Sequence, residues 1–124
     1  MKILSVDDSA VIRKIVRGAA EVLEFGLLEA GDGQEALDVL EKEWKNVGLV
    51  LLDWNMPGMD GLEFLKAIKA HRDYAGIPVM MVTTESEKEN IIKAIKAGAI
   101  HYMTKPFTIE ELIKRILQCL GRGE

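Results

Sequence analysis

The chain is poor in the residues that mark special architectures. It has one cysteine, Cys119, so it cannot be a disulfide scaffold. Only 3 prolines occur, and no Pro- or Ser-rich tract suggests a linker. Uninterrupted apolar runs last a few residues, too short to cross a bilayer. No basic block is present, and 16 Lys and Arg against 20 Asp and Glu give a formal charge of −4, which argues against nucleic acid as the main partner. The N-terminal segment meets Asp7-Asp8 too soon for a signal peptide. Gly31-Asp32-Gly33 lacks the Lys-Ser/Thr of a phosphate-binding P-loop, and Cys119 has no histidine positioned to activate it. The expectation is a reduced, cytoplasmic, monomeric protein without membrane insertion. It would be a single domain over residues 1–124, with no room for an output domain.

What is present is a regular alternation of two periods. Apolar residues make up 48% of the 124, enough for one core. Five short apolar runs recur: Ile3-Leu4-Ser5-Val6, Leu27-Leu28-Glu29-Ala30, Leu49-Val50-Leu51-Leu52, Val79-Met80-Met81-Val82 and Ile100-His101-Tyr102-Met103. The third and fourth are apolar throughout, the pattern of strands covered on both faces of a parallel sheet.

Between the runs lie helix-length segments with one apolar stripe. The first has Ile12, Ile15, Val16, Ala19 and Leu23 on one face and Ser9 as its N-cap. The second is predicted over residues 34–45, with Ala36, Leu37, Leu40 and Trp44 inward; Gly31-Asp32-Gly33 before it reads as a turn. The third follows Asp60-Gly61 and uses Leu62, Leu65 and Ile68. The fourth opens on Ser86-Glu87-Lys88-Glu89, a capping-box pattern, uses Ile91, Ile92 and Ile95, and stops at Gly98. The fifth carries Ile109, Leu112, Ile113, Ile116, Leu117 and Leu120 behind a Thr108/Glu111 capping box. Five βα units predict an α/β fold, a doubly wound (βα)5 arrangement with helices on both faces of a five-stranded parallel sheet.

Open sheets of this kind form sites beyond the carboxyl ends of their strands. Asp7 and Asp8 follow the first run, Asp53 the third, Thr83 the fourth and Lys105 the fifth. With these strands adjacent, about 4.8 Å apart, the residues share one pocket. Three neighbouring carboxylates repel, and a hard cation with oxygen ligands, Mg²⁺ foremost, resolves the conflict. Metal, Lys105 and the Thr83 hydroxyl together suit a phosphoryl group in transfer. A carboxylate can itself be the acceptor, and Asp53, isolated after a buried strand, is the best placed. Trp54 beside it is expected to face the surface. Met56 and Met59 are expected to pack around the Pro57-Gly58 turn. His71 falls at a helix end, and Cys119 falls at the edge of the last apolar stripe as a structural residue.

The ordered motifs are Val6-Asp7-Asp8-Ser9, Asp53-Trp54-Asn55-Met56-Pro57-Gly58-Met59-Asp60-Gly61, Val82-Thr83-Thr84, Lys88-Glu89-Asn90-Ile91-Ile92 and Lys105-Pro106-Phe107. Over its whole length the sequence resembles the receiver domain of two-component response regulators, most of all the stand-alone chemotaxis regulators. The resemblance implies a flavodoxin-like sheet of order 2-1-3-4-5. It implies phosphorylation of Asp53 by a histidine kinase, with Thr83 and Lys105 on the phosphoryl group. It implies Mg²⁺ held by Asp8 directly, Asp7 largely through water, Asp53 and the backbone carbonyl of Asn55. A cis Lys105-Pro106 bond, a switch through Thr83 and Tyr102, and an output face including Lys88, Ile91, Tyr102 and Arg115 are further implications. So is a flagellar motor switch as target. Asn55 and Glu85 stand at positions that tune self-dephosphorylation in the family, which implies a short-lived signal. Thr84 departs from a common alanine, and His101 from a small residue. On this reading the chain is not a turnover enzyme. Alternatives are a phosphorelay intermediate, a phosphate sink, or a small Mg²⁺-dependent phosphatase working through an aspartyl-phosphate. The phosphatase reading lacks the second Asp two residues after the nucleophile.

Overall fold

The structure, a computed structural model, describes residues 1–121. Its elements in chain order are β1 (Lys2–Val6), α1 (Ala10–Leu23), β2 (Gly26–Ala30), α2 (Gly33–Glu43), β3 (Val47–Leu52), α3 (Gly61–Ala70), β4 (Val79–Thr83), α4 (Lys88–Lys96), β5 (His101–Thr104) and α5 (Ile109–Cys119). All neighbouring strands pair in parallel, in the order β2-β1-β3-β4-β5. Both the (βα)5 expectation and the strand order hold.

The sheet sorts its side chains by parity, because successive strand residues point to opposite faces. Leu4, Val6, Val50, Leu52, Val79 and Met81 meet α2, α3 and α4 through Ala36, Leu40, Phe64, Leu65, Ile68 and Ala94. Ile3, Leu49, Leu51, Met80 and Val82 meet α1 and α5 through Val16, Ala19, Leu112 and Ile116. Each of these large aliphatic side chains, fully removed from water, contributes about 1.5–3 kcal/mol. Two cores on one sheet therefore hold the central strand ends rigidly.

Helix starts follow the sequence in three of five cases. Ser9, Asp60 and Thr108 accept from the backbone N–H groups of Ile12, Glu63 and Glu111. Asp32, read as part of a turn, in fact caps α2 through Glu35 N–H at 2.8 Å. The capping box at Ser86 does not form. α4 begins one residue later, with Glu87 at the N-cap and no side-chain cap bond. The Glu85 carboxylate takes the Glu87 N–H instead, at 3.1 Å. α2 also ends earlier than expected, passing into a 3-10 turn at Trp44–Asn46. β5 starts at His101, leaving Ile100 largely exposed.

Candidate functional site

Register explains why the acidic residues converge. Val6 of β1 pairs with Leu52 of β3, so Asp7 and Asp53 each follow the last paired residue of adjacent strands. The ladder continues past them: Asp53 N–H donates to Val6 C=O at 3.0 Å and Asp7 N–H to Ala30 C=O at 2.9 Å. On the other side Thr83 pairs with Thr104, and Lys105 N–H donates to Thr83 C=O at 2.9 Å. The backbone thus fixes Asp7, Asp53, Thr83 and Lys105 at the carboxyl edge of the four strands expected to carry chemistry.

Three of these groups are deeply placed. Residue exposure is 3% for Asp7, 6% for Asp53 and 0% for Thr83. Asp8 is exposed. Carboxylate oxygens of Asp7, Asp8 and Asp53 lie within 4.8 Å of one another. The Lys105 ammonium bridges the buried pair, 2.8 Å from Asp7 Oδ2 and 3.4 Å from Asp53 Oδ2. Asp7 Oδ1 accepts from Ser9 N–H at 2.8 Å, and Asp53 Oδ1 from Asn55 N–H at 3.3 Å. Burial raises the Asp7 carboxyl above its ordinary range, against the lowering effect of Lys105 and the Ser9 N–H.

The donor set fits a hard divalent cation. It is all oxygen, it carries more negative than positive charge, and Asp8 opens it to water. Asn55 is exposed beside Asp53, with its N–H turned onto the Asp53 carboxylate.

Behind the pocket, Glu85 links two further residues. Its N–H donates to Thr83 Oγ1 at 3.2 Å, and its carbonyl accepts from the Tyr102 hydroxyl at 2.7 Å. Desolvation pushes the Tyr102 phenol up to about 12. Tyr102 is half-buried, as is Ile91, whereas Lys88 and Arg115 are exposed. The Lys105-Pro106 bond is cis.

Trp54 does not face the surface as expected. It is half-buried against the core that holds α2, α3 and α4, together with Met56 and Met59. The cause is the tight return of the chain into α3, where Gly61 N–H donates to Trp54 C=O at 2.7 Å. The sequence marks Gly61 only as part of a helix start, yet a Cβ there would lie 2.3 Å from the Asp53 carbonyl oxygen. His71 caps α3 and stacks on Tyr74 with ring centroids 3.8 Å apart. Cys119 is half-buried, its Sγ 3.8 Å from Met80 Sδ, with its thiol pushed up to about 11 by burial. The pairing of Lys105 with Asp7 itself was not foreseen; the two are 98 residues apart and no local signal joins them.

Residues 3–117 match the model of the response regulator receiver domain. The chain belongs to that family. It is 43% identical to a chemotaxis protein CheY homolog of Campylobacter jejuni, over 99% of this chain and 95% of the relative. It is similar to the structure of Vibrio cholerae chemotaxis protein CheY4 (TM-score 0.87, 35% identity, 95% of this chain and 97% of the other). It is also similar to the Mn(2+)-bound form of response regulator Rcp1 (TM-score 0.76, 29% identity, 98% and 94%). This is a CheY-like receiver domain with a two-component role, which implies a phosphodonor kinase and a downstream target. Receiver domains in general bind Mg²⁺ at an acidic pocket and are not turnover enzymes. Among the described residues no helix is long and apolar enough to cross a membrane.

Proposed function

We propose that the chain is a stand-alone, cytoplasmic response regulator that accepts a phosphoryl group on Asp53 from a histidine kinase. The observation that carries this reading is the convergence of Asp7, Asp8 and Asp53 on the Lys105 ammonium at adjoining strand ends. The Campylobacter jejuni relative, matched over 95% of its own length, supports a regulator of this kind.

In the proposed reaction an Asp53 carboxylate oxygen bonds to phosphorus as the P–N bond of a phosphohistidine breaks. The histidine leaves as imidazole, and Asp53 becomes an acyl phosphate. Asp7, Asp8, Asp53 and the Asn55 backbone carbonyl would hold Mg²⁺, which supplies positive charge against the phosphoryl oxygens; the manganese in the Rcp1 structure supports a divalent ion here. Lys105, already 3.4 Å from Asp53 Oδ2, shifts its charge onto the new phosphoryl oxygens. Thr83 Oγ1 accepts from Glu85 N–H, so its own proton remains to be donated to the phosphoryl group.

Movement of Thr83 would strain the Glu85 peptide and so the Tyr102 hydrogen bond on its carbonyl. The surface around Lys88, Ile91, Tyr102 and Arg115 is then the output face. Phosphorylation adds roughly −1.5 to −2 charge, and this local change biases two packings of that face. The chemotaxis names of the relatives support the flagellar motor switch as target.

Incubation with Mg²⁺ and a small phosphodonor, read by intact mass, tests the reading. One phosphoryl group is gained by the parent and none by Asp53→Asn. Equal gain in that variant would overturn it.

A further inference from the structure

On the face away from α1 and α5, the third and fourth helices leave a cleft of about 350 Å³ between them. Its walls are Leu62 and Lys66 of α3 and Lys93, Lys96 and the C-capping Ala97 of α4. Leu62 and Ala97 are half-buried and form an apolar floor, while the three lysines are exposed at the rim. Among the described residues no carboxylate comes within ion-pair distance of any of these lysines. A basic, unpaired cleft on a chain of net charge −4 is a local reversal of sign.

Helix-dipole compensation accounts for Lys93 and Lys96, which lie in the last turn of α4. It does not account for Lys66, which sits mid-helix in α3 and lines the same cleft. We propose that the cleft between α3 and α4 is a docking site for an acidic, partly apolar segment of a partner protein. One apolar side chain would seat against Leu62 and Ala97, and flanking carboxylates would meet Lys66, Lys93 and Lys96.

The chemistry favours a peptide over a compact phosphate. The end of α4 directed to the cleft is its carbonyl end, which repels a concentrated anion. No glycine lines the walls, and the α3 N-terminus near Leu62 is already capped by the Asp60 carboxylate, which accepts from Glu63 N–H at 2.9 Å and would repel a phosphate there. Lysine ammonium groups on flexible stems suit carboxylates spread along a chain, and the apolar floor has no role with phosphate. The site lies apart from the strand ends and needs no phosphoryl group.

The test uses unphosphorylated protein, so its outcome is independent of Asp53 chemistry. The probe is a short fluorescein-labelled peptide with glutamates flanking a leucine, followed by anisotropy and by backbone amide shifts. Expected are saturable binding and shifts centred on Leu62, Lys66, Lys93, Lys96 and Ala97. The triple variant Lys66→Glu, Lys93→Glu, Lys96→Glu should weaken binding about tenfold or more, from rim charges that each contribute modestly, and Lys42→Glu on α2 should leave it unchanged. Replacing the peptide leucine by serine should also weaken it. Binding that survives the triple variant, shifts mapping elsewhere, or inorganic triphosphate outcompeting the peptide at the lysines would each overturn the proposal.

Discussion

Lys105 is the only cation within ion-pair distance of Asp7 and Asp53 among the described residues. Removing one partner of a buried charge cluster leaves the others uncompensated, at about 3 kcal/mol or more. Lys105→Met should therefore lose about that much in a urea titration at neutral pH. Added Mg²⁺ should restore part of it, because a ligand bound only by the folded state stabilises that state. A variant as stable as the parent without metal would contradict the role of Lys105 as charge balance. Cys119 gives a second residue-level expectation. Its thiol is raised from 9.0 to about 11, so the folded chain keeps its proton where the unfolded chain has lost it. This contribution to stability is complete below pH 9 and falls away as pH rises toward 11. Alkylation at pH 8 should be roughly a hundredfold slower in native protein than in urea, since the thiolate is the reactive form. Equal rates would mean that the thiol is not desolvated.

At the scale of single elements, Gly61 ties α3 to the loop that follows Asp53. A Cβ at this position meets the Asp53 carbonyl at 2.3 Å and the Trp54 Cα at 2.7 Å, both backbone atoms that cannot step aside alone. Gly61→Ala should cost about 1–3 kcal/mol and slow phosphorylation of Asp53, measured by denaturation and by the rate of phosphoryl gain. The sequence exposed this element only as an Asp60-Gly61 helix start; the need for glycine arises from a chain return visible in three dimensions. α5 and α4 make the same contrast. Thr108 and Glu111 form their capping box, with bonds of 2.9 and 3.1 Å, because both partners are local. Ser86 and Glu89 have the same spacing and fail. There the Glu85 carboxylate takes the Glu87 N–H, and its carbonyl is held by Tyr102 from β5. A motif read four residues at a time does not see a strand seventeen positions away.

At the scale of the molecule, apolar periodicity alone was enough for five βα units, since each run and stripe is a local pattern. The adjacency of β1, β3, β4 and β5 was not local. Strand order came from the resemblance, and it is strand order that turns four separated residues into one pocket. The lysine cleft was illegible for the same reason, because Lys66 and Lys93 meet only through the packing of α3 beside α4. The central claim concerns one atom group, the Asp53 carboxylate, among three neighbouring acids. Its most direct test is to phosphorylate the protein, reduce the acyl phosphate with borohydride, and locate the resulting homoserine by peptide mass spectrometry. The account predicts homoserine at position 53 and nowhere else. Homoserine at position 7 or 8, or a stable phosphate on a hydroxyl such as Thr83, would contradict it.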